Sequence, residues 1–313
     1  MTQQLVIQPN KKIALEKWKA FESVTDGVMH TVAVNSQRVY NQAYRSWASW
    51  CEFNHHSPTD LRPAAVIAFL KSERTTKSTR QRKLSALRQL ARAMSLIDQS
   101  LHPIYDALKM IKAPTGGESG MEHKKRPLDV EQARRLMNVF SDSAKLLDYR
   151  NRAMISLMLA TGLRREEVTM LEWLDIDLKE GILTVRHGKG DKSREVAIVG
   201  QSPLDTLKAW RKEQGEGYSF VFTPITKSNR VGQDRPITPQ TVFDTVKVIS
   251  AVSGVDFSPH DTRRAHATEL LNTESLADVQ AQLGHAHGST TLRYASGADA
   301  MKRRAKFKLR YNE

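Results

Sequence analysis

Four short clusters in this chain bring together residue types that bind anions and move protons. In "TGLRREEV", Arg164 follows a glycine turn and Glu167 stands three residues on, close enough on a helix for the carboxylate to hold the guanidinium. Such an arginine is either half of a surface ion pair or a clamp whose planar fork matches two phosphate oxygens. In "SPHDTRR", Ser258, Pro259 and Asp261 form a helix start with a capping box, and His260 and Arg263 project from its first turn on one face. This is a capped helix with incidental charge, or an anion site built on free N–H groups. In "HGKGDKS", glycines flank Lys189 at a turn. It is a solubilising lysine, or one able to protonate a leaving oxygen. The fourth stretch, "LGHAHGSTTLRY", sets His285 just after a helix-ending Gly284 and places Tyr294 nine residues later. Tyr294 reads as a packing residue or a nucleophile, depending on what the fold brings near it. His287 adds a second imidazole, but a two-histidine turn without a cysteine or acidic ligand is a poor metal site, and no metal is expected.

The elements that must hold these groups fall into two blocks. Three or four helices are expected upstream, among them 35–53, with Val39, Ala43, Trp47 and Trp50 at three-to-four spacing, and one starting at Pro63. A third, 78–97, puts Leu84, Leu87, Ala91 and Met94 on one stripe with Arg80, Arg82, Lys83, Arg88 and Arg92 around it. Those five cations form a solvated face or a face laid on DNA phosphates. The stretch 113–127 holds three glycines, two prolines and a basic cluster, and reads as a linker. Lys124 and Lys125 in that cluster are grouped with the candidate DNA contacts. Downstream the pattern is mixed. "RPLDVEQARRLMNVF" and "YRNRAMISLMLATG" read as helices, and 181–199 as a β-hairpin with Ile182, Thr184 and Arg186 on one side and Glu195, Ala197 and Val199 on the other. Three more helices follow, then a short one that Ser289 can cap and that carries Tyr294. The tail is basic and weakly amphipathic, with Met301, Ala305 and Leu309 on one side.

Composition narrows the partner. The formal net charge of the 313-residue chain is +14, alongside a hydrophobic content of 40%, so the excess belongs to a folded protein that attracts polyanions. Nucleic acid is favoured over anionic membrane, since no long Lys/Arg helix carries bulky aromatics on one face. No stretch is long and apolar enough to span a bilayer, the N-terminus lacks the order of a secretory signal, and a single cysteine excludes a disulfide framework. A cytoplasmic, nucleoid-associated protein is expected.

Taken together and in this order, the clusters resemble the tyrosine recombinase (phage integrase) family: the box "ATGLRREEVTML", the hairpin "GKG", the His-x-x-Arg box, the "LGH", and a tyrosine nine residues after that histidine. The resemblance covers roughly 34–295. It departs from the family's commoner pattern where Arg264 follows Arg263 and where "GHAHG" replaces Gly-His-Ser/Thr, so His287 inherits no role. The fold it implies is mainly α with a small β-sheet, an N-terminal helical core-binding domain plus a C-terminal mixed α/β catalytic domain, similar to the simpler two-domain Xer and Cre recombinases. The expected boundaries are an N-terminal arm (1–30), a DNA-clamp domain (31–112), a linker (113–125), a catalytic domain (126–296) and a C-terminal helix (297–313) that docks on a neighbouring protomer.

The same resemblance implies the chemistry. Tyr294 attacks a DNA phosphate, releases a 5′-hydroxyl and leaves a 3′-phosphotyrosyl bond. Arg164 and Arg263 fork onto the non-bridging oxygens, His285 adds a hydrogen bond, Lys189 protonates the leaving oxygen, and His260 helps position or deprotonate Tyr294. Glu167 supports Arg164. Exchange of one phosphodiester for another is nearly isoenergetic and the cationic side chains supply the field a metal would, so no cofactor is expected. The implied partners are duplex DNA with paired recombination sites, a dimer per site making a homo-tetramer, and accessory DNA-bending proteins. A type IB topoisomerase and a catalytically silent DNA-binding protein of the same fold are the alternative readings.

Overall fold

A computed structural model of the chain describes residues 11–114, 128–186, 193–285 and 288–292. Lys124, Lys125, Lys189, His287, Tyr294 and the expected tail helix lie outside the described residues. The chain divides into two units, Met1–Lys124 and Lys125–Glu313, and the division falls inside the expected linker.

The first unit is helical: α1 (Lys11–Thr31), α2 (Val34–Phe53), α3 (Pro63–Ser72), α4 (Lys77–Ile97) and α5 (His102–Met110). Pro63 opens α3 as its spacing predicts, and the Thr76 hydroxyl caps α4 by accepting the Thr79 N–H. The core holds Trp47, Phe69, Leu84 and Leu87, all fully buried. Trp47 stacks on Trp50 with ring centroids 5.3 Å apart, meets Phe69 edge-on, and satisfies its indole N–H on the Pro58 carbonyl at 2.9 Å. The described part of the region expected as an arm is instead built into this core, because α1 buries Phe21 and Val28 against it.

The five cations of α4 do not share one exposed face. Arg80 is 2% exposed and donates to the Thr75 and Pro114 carbonyls. Lys83 is buried too, paired with Glu73 at 2.7 Å and donating to Ser46 Oγ at 3.0 Å. Arg88 is half-buried and clips the C-terminal end of α5 through the Leu108, Lys109 and Ile111 carbonyls. These three are internal struts, which corrects their expected place on DNA. Arg82 and Arg92 are exposed.

The second unit runs α6 (Val130–Met137), α7 (Leu146–Thr161), α8 (Arg165–Thr169), β1 (Ile176–Asp177), β2 (Ile182–Val185), β3 (Arg194–Ala197), α9 (Gln201–Gln214), α10 (Pro239–Ser253), α11 (Pro259–Thr273), α12 (Leu276–Leu283) and α13 (Gly288–Leu292). The apolar run Ala153–Ala160 makes α7 the buried centre of this unit. Helix α9 lies against α7 and is anchored by Trp210, fully buried and donating to the Val221 carbonyl at 2.7 Å. The strands form an antiparallel sheet in the order β1-β2-β3. Its register pairs Ile182 with Ala197 and Thr184 with Glu195, so the two sets expected on opposite sides share the outer face. Leu183, Val185, Val196 and Ile198 form the buried one. Helix α13 begins at Gly288, which puts Ser289 inside its first turn rather than at its cap. No described helix is long and apolar enough to cross a membrane.

Candidate active site

The site is assembled from helix ends. Helix α7 stops at Gly162 and α12 at Gly284, both left-handed at φ 64 as a helix-ending glycine allows. Both also need the missing side chain. A Cβ on Gly162 would sit 2.8 Å from the His266 ring and 2.9 Å from Leu283, and one on Gly284 would sit 2.7 Å from Arg194 Cδ. The two stops leave backbone carbonyls pointing at one spot, where the dipole ends of both helices favour a cation. Arg263 fills it: Nη1 donates to the Gly162 carbonyl at 2.7 Å and Nη2 to the Leu283 carbonyl at 2.6 Å.

Arg263 comes from the first turn of α11, and the sequence-predicted cap holds that turn. The Asp261 carboxylate accepts the Ser258 N–H at 2.9 Å and the Ser258 hydroxyl at 2.6 Å, with Pro259 at the first position. The same guanidinium reaches His285, with Nη2 2.9 Å from Nε2, while Nδ1 lies 2.8 Å from Thr291 Oγ1. A guanidinium only donates, so Nε2 takes the lone-pair role and Nδ1–H donates to Thr291. His285 is thus a neutral imidazole. Burial, then the charges of Arg263, Arg164 and Arg194, push it down to about 4. His266, a turn beyond Arg263, is also held near 4 by burial while bonded to the Leu159 carbonyl.

Arg164 enters from the start of α8. Glu167 accepts its backbone N–H at 2.8 Å and its Nη1 at 2.7 Å, the geometry read from their spacing. Burial alone would raise the Glu167 carboxyl. Hydrogen bonds from Arg194, the Arg164 N–H and both guanidinium charges outweigh it and hold the group at about 2. His260 stands exposed at the rim, lowered by desolvation first and by Arg263 and Arg264 next. Arg164, Arg165, Phe243, Ser258, His260 and Arg263 help line a cleft of about 370 Å³. A second cavity of about 320 Å³, by Leu128, Met137, Leu159 and Leu270, is mostly apolar. The cationic cleft is the one equipped for chemistry: it can grip a singly charged diester by two oxygens and offers imidazoles beside it.

Of the six residues predicted to act, Arg164, His260, Arg263 and His285 converge here, and Glu167 holds Arg164 as expected. Lys189 lies in the segment between β2 and β3, and Tyr294 two positions beyond the end of α13. Two participants were missed. Thr291 fixes the His285 tautomer, and Arg194 grips Glu167 with Nη1 at 3.0 Å from Oε1 and Nη2 at 2.9 Å from Oε2. A signal for Arg194 existed: it alternates with Val196 and Ile198, so a charge on the buried face of a strand demanded a carboxylate.

The profile of the phage integrase family matches residues 126–301. The chain is 29% identical over 277 residues to tyrosine recombinase XerD of Vibrio vulnificus, covering 84% of this chain and 85% of that protein. It is also 29% identical over 221 residues to tyrosine recombinase XerA of Pyrococcus furiosus, covering 67% and 74%. Among solved structures, XerH site-specific recombinase bound to a palindromic difH substrate has the same fold, with a TM-score of 0.67 at 20% identity over 97% of this chain and 90% of that one. Family profile, relatives and fold agree: the chain belongs to the phage integrase family, the tyrosine recombinases, and is a site-specific recombinase.

Proposed function

We propose that the cleft binds the scissile phosphate of duplex DNA and that Tyr294 is the nucleophile. Its Oη forms a bond to phosphorus as the P–O5′ bond breaks, giving a 3′-phosphotyrosyl link and a free 5′-hydroxyl. A phenol with pKa near 10 is a weak nucleophile at neutral pH, so its neighbours must supply activation. Arg164 and Arg263 hold the non-bridging oxygens as their charge grows, with His285 beside them. His260, kept neutral below its ordinary value, accepts or orients the phenol proton, and Lys189 gives a proton to the departing oxygen. A 5′-hydroxyl from a second duplex then attacks the phosphotyrosine: its oxygen bonds to phosphorus as the bond to Tyr294 Oη breaks, which restores a phosphodiester and frees the phenol. The observation that carries this reading is the meeting of Arg164, Arg263 and His260 around one cleft, with His285 hydrogen-bonded to Arg263.

The domain reading follows, with α1 joined to the first domain: 11–112 as core-binding domain, 126–296 as catalytic domain, with Arg82 and Arg92 as DNA contacts from the first and Lys124 and Lys125 from between them. Strand exchange between two duplexes calls for a dimer per site and a tetramer per synapse, with the tail 297–313 docking on a neighbour and accessory DNA-bending proteins assisting. A DNA-bound, cytoplasmic location suits these partners.

The test is a nicked substrate that loses its 5′-hydroxyl fragment on cleavage and so traps the intermediate. The wild type is expected to form an SDS-resistant DNA adduct and Tyr294→Phe to form none while shifting the same DNA. An undiminished adduct from Tyr294→Phe overturns the assignment.

A further inference from the structure

We propose that Arg194 is a positioning residue of the reaction: by occupying both oxygens of Glu167 it leaves Arg164 charged and directed at the phosphate, and it locks the β2–β3 hairpin to the turn that presents His285. The proposal rests on the assignment of Arg164 to the scissile phosphate. One carboxylate lies between two guanidiniums, and they share it unequally. Arg194 forms two parallel bonds to it, whereas among the described residues Arg164 gives it one side-chain bond. Exposure divides them the same way. The Arg194 side chain is 11% exposed and that of Arg164 26%, so the buried member neutralises Glu167 and the accessible one keeps its charge for an anion. Left alone with Glu167, Arg164 would be paired inward and its charge cancelled.

The second half of the role is mechanical. Arg194 opens β3, the return strand of the hairpin whose connecting segment carries Lys189. Its stem passes against Gly284, where a Cβ would come within 2.7 Å of Cδ and 2.8 Å of Nε, and Nε lies 3.3 Å from the Gln282 carbonyl at the end of α12. One guanidinium therefore closes three segments together: the entrance of α8, the start of β3 and the end of α12. Among the described residues, the charged groups facing Glu167 are Arg164 from the start of α8 and Arg194 from β3, and α12 brings a backbone carbonyl and then neutral His285.

The test measures single-turnover cleavage of the nicked substrate at saturating protein across pH 5.5–8, alongside DNA affinity and melting, for wild type, Arg164→Ala, Arg194→Ala, Arg194→Lys and Arg186→Ala. Arg194→Ala is expected to bind DNA within about threefold of wild type, because its buried guanidinium is committed to Glu167 and the Gln282 carbonyl. Its cleavage is expected to slow by about 10–100-fold. The loss should deepen toward acid, below about pH 6, as the buried Glu167 carboxyl shifts upward without its fork. Arg194→Lys, which returns the charge without the fork, should recover part of the rate. Arg186→Ala removes a different hairpin ion pair, to Asp175, and should stay within about twofold. Wild-type cleavage and pH profile in Arg194→Ala overturn the proposal, as does a loss confined to DNA affinity. Unfolding of both Arg194 variants overturns it too, making the residue a folding strut. If Arg164→Ala is inactive and Arg194→Ala is not, this proposal alone fails; if Arg164→Ala cleaves normally, the underlying assignment fails with it.

Discussion

At the scale of single residues, the site is organised by buried groups kept in one protonation state. His266 and His285 sit near 4, below the ordinary imidazole value of 6.5, so the unfolded chain binds more protons than the native one between those values. Stability is therefore full above pH 6.5 and declines as pH falls toward 4. The melting temperature of the wild type is expected to follow that course, and His266→Gln should flatten part of the slope. A melting temperature constant over the window would contradict the assignment of neutral imidazoles. Glu167 behaves in the same direction at lower pH, its contribution fading from about 4.5 down through about 2. The glycine stops are equally specific. Gly284→Ala places a Cβ at φ 64 against the Arg194 stem and should cost more than about 1 kcal/mol in urea unfolding. Much of this was legible beforehand, because caps and glycine stops are local. The Ser258–Asp261 cap and the Arg164–Glu167 pair needed only spacing. Arg263's carbonyl partners, 101 and 20 residues away, are tertiary and have no such signature.

At the scale of elements, periodicity locates helices but only pairing decides which polar residues go inside. The α4 stripe Leu84, Leu87, Ala91 and Met94 extends backward by four residues to Arg80, so its burial lies on the helical repeat itself. Charge drew that residue to the DNA face; geometry put it in the core. Arg80→Ala is accordingly expected to destabilise the first unit by about 1–3 kcal/mol, through the lost Thr75 and Pro114 bonds, and Arg82→Ala by no more than about 0.5 kcal/mol. Chemical denaturation read at the tryptophans of α2 checks both, and equal effects would contradict the internal role of Arg80. Helix α9 was overlooked, although Leu204, Leu207 and Trp210 recur every three residues before Gly215. The hairpin faces were misjudged for another reason: alternation fixes the two faces of a strand, but the register that joins two strands depends on their connection.

At the scale of the whole molecule, a strongly positive charge spread over two compact units suits a recombinase, an enzyme that acts on DNA. With +14 charges, its DNA affinity is expected to fall steeply with salt, by orders of magnitude between about 50 and 200 mM, which filter binding across a salt series would check. Cleavage should persist in excess EDTA, because the side chains of the cleft supply the positive field; loss of cleavage on chelation would require a metal in the step. All of this turns on residue 294. The most direct measurement is mass spectrometry of the trapped adduct after nuclease and trypsin digestion. Nucleotide mass is expected on the peptide from Tyr294 to Lys302, joined through a 3′-phosphate. Attachment at another tyrosine, such as Tyr149 or Tyr218, or through a 5′-phosphate, would contradict it.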